Sequence, residues 1–166
     1  MLNKLVPQLA VNSVFDIPLD VLWDKGIRGI ITDLDNTLVG AKVPIATPEL
    51  VFWLNQVQDR GFQVVIVSNN NKLRVSAFAD PIVVPYISSA KKPMNMSFRR
   101  AMSLMKLLPA QTAVVGDQML TDVLGGNRLG LFTIMVQPIA AADEGFFTRV
   151  NRRIERAALA LMRDKK

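Results

Sequence analysis

The sequence predicts an α/β protein, a Rossmann-like doubly wound parallel sheet of about five strands with no cap domain. Three observations lead there. Short apolar, β-branched runs alternate with helical segments along the chain. Polar and charged residues cluster directly after those runs, where the carboxyl ends of parallel strands would meet. The loops between are short, with no repeat or low-complexity stretch, which leaves no room for a second folded domain.

Each element can be justified in order. Residues 27–34, IRGIITDL, form a buried-strand run. TPELVFWLNQVQDRG then supplies Thr47 as helix cap and Pro48 at the first helical position. Leu50, Trp53, Leu54 and Val57 form its apolar face, and Gly61 stops the helix. FQVVIVS, residues 62–68, is the second strand, followed by the polar stretch SNNN and a short helix to about Ala79. PIVVPYIS, residues 81–88, reads as a weaker third strand, because Pro81 and Pro85 suit an edge. A helix from about Pro93 to Leu108 carries Phe98, Ala101, Met102, Met105 and Leu108 at helical spacing. TAVVG, residues 112–116, is the fourth strand. QMLTDVLGGNRLG is a helix ending near Gly130, and LFTIMV is the fifth strand. Met94, Met96, Met102 and Met105 suit flexible core filling better than a partner-binding surface.

Composition narrows the chemistry. With 166 residues, half of them hydrophobic, the chain has enough apolar material for one substantial core. It has no Cys and no His, which removes thiol nucleophiles, disulfides, imidazole bases and the usual zinc ligands. Any catalysis must run on Asp, Glu, Lys, Ser, Thr or a bound hard cation. The N-terminal stretch does not read as a secretory signal, since Pro7 and Asn12 interrupt it, and no run approaches a membrane span. The net charge of +6 is concentrated at the end: residues 146–166 hold seven basic side chains against Glu155 and Asp164, a local net of +5. We therefore divide the chain into a main domain, 1–145, and a basic amphipathic C-terminal helix, 146–166.

The residues that follow the strands converge on one crevice in such a fold. Asp33, Asp35 and Thr37 follow the first strand, and Ser68 and Asn69 the second. Lys91, Lys92 and Pro93 follow the third; Asp117, with Asp122 five residues on, follows the fourth. Carboxylates this close repel one another unless a cation or a shared proton compensates. The set suits phosphoryl transfer. Asp33 and Asp117 offer hard oxygen ligands for Mg²⁺, and Asp35 offers its backbone carbonyl. Asp33 can then attack a phosphate to give an aspartyl phosphate, while Asp35 protonates the leaving oxygen and later takes a proton from water. Ser68, amides near Asn69, and Lys92 would spread the charge of the transferred group. Each residue alone has a plain structural use as a cap, a turn former or a solvated charge; their order and shared place at strand ends carry the reading.

These residues resemble the haloacid dehalogenase-like superfamily of phosphatases over about residues 26–136. DLDNT (33–37) is similar to its first motif, VSNN with Ser68 to its second, AKKP with Lys92 to its third, and GDQMLTD with Asp117 and Asp122 to its fourth. The resemblance implies Asp33 as nucleophile, Asp35 as acid/base and Thr37 as loop support. It also implies Ser68 and Lys92 as phosphate contacts, Asp117 as metal ligand and Asp122 as a supporting residue. Lys92 is preferred over Lys91 for its place before Pro93. The stretch 37–47 and the segment between Ser68 and Lys92 are too short for the cap domain that many members insert, so the site should be open.

Within the superfamily the chain most resembles the small capless subgroup typified by phosphatidylglycerophosphate phosphatases, through SVFDIPLD, GIRGIITDLDNTLV and GDQMLTDVLGGNRLG. That implies dephosphorylation of phosphatidylglycerophosphate to phosphatidylglycerol, in a cytoplasmic or peripheral setting on the inner face of a membrane, with an organellar location also allowed. In the tail, Phe147, Val150, Ile154, Ala158 and Leu161 share one helical face, as in an interfacial helix on anionic lipid or a helix docked on the core. The alternatives are a phosphatase for a soluble metabolite or nucleotide, and a non-catalytic protein whose basic tail holds RNA. Against the last, the tail has no Tyr or Trp to stack bases, and no nucleic-acid partner is expected.

Overall fold

A computed structural model describes residues 2–139, 152–157, 159 and 160. All strands are parallel, in the order β1-β6-β5-β2-β3-β4. They are β1 Leu9–Val11, β2 Gly29–Thr32, β3 Gln63–Val67, β4 Tyr86–Ile87, β5 Thr112–Gly116 and β6 Phe132–Val136. The helices are α1 Leu19–Asp24, α2 Pro48–Asp59, α3 Lys72–Ala79, α4 Asn95–Met105 and α5 Leu124–Leu129. The reversal of strand order around β2 and β5 places their carboxyl ends at the centre of one edge. There the two neighbouring crossovers diverge and leave a crevice.

Alternation along the central strands explains the two helix layers. Ile30, Val64, Ile66 and Val115 face one side, against Leu50, Leu54 and Val57 of α2 and Val75 and Phe78 of α3. Ile31, Val65, Val67 and Val114 face the other, against Phe98, Ala101, Met102 and Met105 of α4. Both faces of β2 are buried, so Ile30 and Ile31 are apolar, and the one polar side chain, Thr32, donates its hydroxyl to the Asp33 carbonyl at 2.9 Å where the chain leaves the sheet. Helix α2 begins as its sequence dictates: the Thr47 side chain accepts from the Leu50 N–H at 3.2 Å, with Pro48 in the first turn.

The sheet has one strand more than the five expected. Leu9–Val11 pairs with β6 in register Leu9↔Ile134, an edge strand of three residues. The expected third strand over 81–88 shrinks to Tyr86–Ile87. Its first half is a turn in which the Val83 N–H reaches the Asp80 carbonyl at 3.1 Å, with Val83 at φ 55°. Helix α4 is shorter than 93–108 and ends at left-handed Lys106. The segment after β5 is not one regular helix: Met119–Val123 forms a wide π-type turn that leads into α5. No covering domain interrupts the described residues, and none of their helices is long and apolar enough to cross a membrane.

Candidate active site

The loop after β2 is built by its own short residues. The Asp33 N–H extends the sheet by donating to the Val115 carbonyl at 2.9 Å. Asn36 then adopts φ 62°, a left-handed conformation that Asn tolerates well, and its N–H closes the loop onto the Val39 carbonyl at 2.7 Å. This turn aims Asp33, Asp35 and Thr37 along one edge. Opposite it, Asn69 and Lys92 lock two further loops together: the Lys92 N–H donates to Asn69 Oδ1 at 2.7 Å, and Asn69 Nδ2 donates to the Lys92 carbonyl at 3.3 Å. Ser68, 1% exposed, accepts from the Asn70 N–H at 3.1 Å.

Lys92 is the electrostatic hinge of the edge. Its ammonium lies 3.0 Å from Asp33 Oδ1 and donates to Asp122 Oδ1 at 2.6 Å. Burial alone would push this ammonium's pKa down, but the two carboxylates outweigh it and hold the pKa above the usual lysine value. Asp122 reaches the same place from the turn after β5, where its second oxygen accepts from the Gln118 N–H at 3.2 Å. A glycine at 116 makes room for it: a Cβ there would lie 2.0 Å from Asp122 Oδ2.

Asp33, Asp117 and Asp122 form a compact acidic group, with one oxygen from each within 4.8 Å of the others, all three buried. Burial raises the Asp117 pKa to about 8, reinforced by repulsion from Asp33 and Asp122 and opposed by Arg152. Burial also raises Asp122, to about 6; Lys92 opposes the rise and Asp33 adds to it. Three buried carboxylates face two cations, Lys92 on Asp33 and Asp122 and Arg152 on Asp117, and this set of hard oxygen donors fits a divalent cation. Thr37 Oγ1 donates to Asp117 Oδ1 at 3.0 Å. From the C-terminal region, Arg152 forks onto Asp117, donating Nη1 to its carbonyl at 3.0 Å and pairing Nη2 with Oδ2. Glu155, 4% exposed, accepts from the Leu120 N–H at 3.1 Å and seats the same turn.

Asp35 stands apart from that acidic group. Its Oδ1 receives Arg74 Nε and Nη2 at 3.2 and 3.0 Å, and its Oδ2 receives Asn70 Nδ2 at 2.8 Å. Together these loops enclose an open cavity of about 370 Å³, lined among others by Asp33, Asp35, Ser68, Asn69, Lys92 and Thr121. Its walls combine two carboxylates, an ammonium and a buried hydroxyl, a set suited to hold and attack a phosphoryl group.

Comparison with known proteins agrees with this chemistry. A family model described as HAD-hydrolase-like matches residues 89–138. Over 166 residues the chain is 47% identical to the probable phosphatase YqeG of Bacillus subtilis (strain 168), covering 99% of this chain and 96% of that protein. The chain belongs to the haloacid dehalogenase-like phosphatases. A more distant relative is the chloroplastic/mitochondrial phosphatidylglycerophosphate phosphatase 1 of Arabidopsis thaliana, 26% identical over 93% of this chain and 47% of that longer one. Among solved structures, the D,D-heptose 1,7-bisphosphate phosphatase of B. bronchiseptica, complexed with magnesium and phosphate, superposes with a TM-score of 0.56 at 17% identity. It covers 68% of this chain and 82% of that one, a likeness of fold.

As a phosphatase of this superfamily, the protein is an enzyme, and the alternative of a non-catalytic RNA-binding protein is set aside. The structure brings Asp33, Asp35, Thr37, Ser68, Asn69, Lys92, Asp117 and Asp122 to one edge. Lys91 is turned out of that group and lines a different cavity. Asp122, expected only in support, stands with Asp33 and Asp117 as the third carboxylate, whereas the Asp35 carboxylate is engaged by Arg74 and Asn70. Arg74, Asn70 and Arg152 are the residues that sequence reasoning missed. For Arg74 a faint signal existed, a cation in the first turn of the helix that follows the Ser68 loop. Of the tail's apolar stripe, Phe147, Val150, Ala158 and Leu161 lie outside the described residues, and Ile154 is half exposed.

Proposed function

We propose that this phosphatase hydrolyses the terminal phosphomonoester of a phosphatidylglycerophosphate-type lipid, with Mg²⁺ as its metal and an aspartyl phosphate on Asp33. The open cavity carries the reading: no covering domain shields it among the described residues, so a phosphate presented at a lipid surface can reach Asp33 without being engulfed. The distant Arabidopsis relative supports the lipid class, and Arg153 and Arg156, exposed on the described turn of the tail, leave basic side chains for an anionic surface.

In this mechanism Asp33 Oδ attacks phosphorus and the alcohol oxygen departs, taking a proton from Asp35, which Arg74 and Asn70 hold on the cavity wall. Lys92 and the Ser68 hydroxyl stabilise the equatorial oxygens. Water then attacks the aspartyl phosphate and gives its proton to Asp35, so inorganic phosphate leaves and Asp33 is restored. Asp33, Asp117 and Asp122 would hold the divalent cation, whose charge offsets the repulsion between the Asp33 carboxylate and an anionic phosphate.

Phosphate release tests this, measured on phosphatidylglycerophosphate in vesicles and on a panel of soluble phosphorylated metabolites and nucleotides, with Mg²⁺ and with chelator. Turnover of the lipid at least tenfold more efficient than that of every soluble monoester is the expected result. A soluble substrate that outruns the lipid replaces the lipid reading with a metabolite phosphatase.

A further inference from the structure

The Asp35 carboxylate is held from α3 and from the loop that precedes it. Arg74, in the first turn of α3, donates both Nε and Nη2 to one oxygen, Asp35 Oδ1, at 3.2 and 3.0 Å. Asn70 donates Nδ2 to the other oxygen, Oδ2, at 2.8 Å. The Asn70 amide is itself oriented, because its Oδ1 accepts from the Asn71 N–H at 2.8 Å and so turns the NH2 group toward Asp35. Its backbone is fixed as well: the Asn70 N–H donates to Ser68 Oγ at 3.1 Å, and the Asn70 carbonyl accepts from the Ser89 N–H at 2.7 Å.

Helix capping does not account for the Arg74 side chain. Asn71 already caps α3, its Oδ1 accepting from the Arg74 backbone N–H at 2.9 Å. The guanidinium crosses instead to the loop after β2. Besides Asp35 it reaches the Gly40 carbonyl at 3.4 Å, and it lies 5.8 Å from the ring centroid of buried Phe78. The Arg74 and Asp35 side chains are 15% and 21% exposed, so neither is a freely solvated surface charge.

Each oxygen of a carboxylate offers two lone pairs. Arg74 takes both on Oδ1, and Asn70 takes one on Oδ2. Among the described residues, the second lone pair of Oδ2 is the place left for a proton, and Asp35 lines the catalytic cavity. We propose, resting on the assignment of Asp35 as acid/base above and independently of the lipid, that Arg74 is a positioning residue. By filling Oδ1 it assigns the proton to Oδ2 and fixes the carboxyl where the leaving oxygen can meet it. As Asp33 Oδ bonds to phosphorus, the ester P–O bond breaks, its electron pair stays on the departing oxygen, and that oxygen takes the proton from Oδ2. Asp35 is left as the carboxylate that Arg74 and Asn70 hold. The water that cleaves the aspartyl phosphate returns a proton to the same oxygen.

The deciding readout is the dependence on the leaving group, which a misplaced acid changes and a loosened fold does not. kcat/KM is measured on phenyl phosphate and on p-nitrophenyl phosphate, two esters of similar shape. Phenolate needs a proton to depart far more than p-nitrophenolate does, so loss of the acid widens the ratio between them. Asp35→Asn should widen that ratio by about a hundredfold. Arg74→Met should widen it by about tenfold, because the acid is present but out of place. Arg74→Lys keeps the charge but cannot fill both lone pairs of Oδ1 with one fork, so it should widen the ratio by roughly a few-fold; it carries the test if Arg74→Met does not fold. Combining Asp35→Asn with Arg74→Met should give no wider ratio than Asp35→Asn alone. Equal losses on both esters in the Arg74 variants would overturn the positioning role and leave Arg74 structural. A combined variant with a wider ratio than Asp35→Asn would overturn it too, since Arg74 would then act apart from Asp35. An unchanged ratio in Asp35→Asn itself would overturn the acid/base assignment, and the positioning role with it, before any Arg74 variant is made.

Discussion

The two halves of the catalytic edge solve the same electrostatic problem differently. On the phosphate side, Lys92 pairs with both Asp33 and Asp122, and its backbone is clamped to Asn69. That half is assembled by contacts among its own loops. On the metal side, Asp117 is fully buried beside two like charges, and its opposing cation arrives from Arg152, 35 residues on. The first half is compensated before any substrate arrives, whereas the second depends on a cation brought from elsewhere. Substitutions should therefore cost chemistry and stability together on the phosphate side, and mainly metal dependence on the other.

The largest effect is expected at the shared residue. Asp33→Asn should cut phosphate release by at least roughly a thousandfold at every Mg²⁺ concentration, because an amide cannot form the acyl phosphate. Melting within a few degrees of the parent would separate this from misfolding. Residual turnover near a tenth of the parent rate would remove Asp33 as nucleophile. Lys92→Met comes next. It leaves Asp33 and Asp122 buried without their ammonium, a break worth about 3 to 5 kcal/mol, so both the thermal midpoint and activity should fall. Divalent cation should restore part of the stability, measured by calorimetry with and without chelator.

On the metal side, Asp117→Asn should weaken metal binding by more than the roughly 10- to 100-fold seen when outer-shell partners are lost, with partial rescue of turnover at high Mg²⁺ or with Mn²⁺. Identical metal titrations for parent and variant would remove Asp117 from the ligands. The same carboxylates set a pH dependence. In chelator, folded Asp122 and Asp117 hold protons up to about pH 6 and about pH 8, while an unfolded aspartate releases its proton near 3.8. The folded state thus binds more protons above pH 3.8, so stability is greatest at low pH and is lost as pH rises from there to about 6 through Asp122 and to about 8 through Asp117. With no histidine in the chain, no imidazole obscures the trend. The metal-free midpoint should fall by several degrees from pH 5 to pH 8, at about 2 to 4 °C per kcal/mol for a domain of this size. Saturating Mg²⁺ should flatten the slope.

The asymmetry also governs what could be read in advance. The central strands were legible because strands buried on both faces carry short β-branched runs, and α2 because Thr47 and Pro48 punctuate it. Leu9–Val11 was not: it is three residues long, follows Pro7, and is a strand only because β6 lies beside it. Pro81–Val84 misled in the opposite direction, since apolar residues in a turn look like strand until the chain is seen to reverse at left-handed Val83. The shared edge of Asp33, Ser68, Asn69 and Lys92 was legible because these residues sit at strand ends. The partners that finish the site were not. Arg74 reaches Asp35 across 39 positions, and Arg152 reaches Asp117 from a tail whose basic residues read collectively as a surface charge. No local spacing encodes such contacts.

Arg152 supplies the smallest and sharpest test. Asp117 presents two carboxylate oxygens: Thr37 occupies Oδ1 with a hydroxyl, and Arg152 occupies Oδ2 with a guanidinium. A cation bound by Asp117 must share or displace one of these donors, and repulsion makes the guanidinium the one to yield. Arg152→Ala should then have opposite effects on two measurements. Without metal, Asp117 loses the charge that opposes its neighbours, so the midpoint in chelator at pH 8 should drop by a few degrees. With metal, a competitor is gone, so Mg²⁺ affinity measured by calorimetry should rise about fivefold, the low end of couplings between linked binding events. Arg152→Lys keeps the charge and should lie between. A variant that binds Mg²⁺ more weakly than the parent would show instead that Arg152 orients the carboxylate for the metal, making the C-terminal turn part of the metal site rather than its rival.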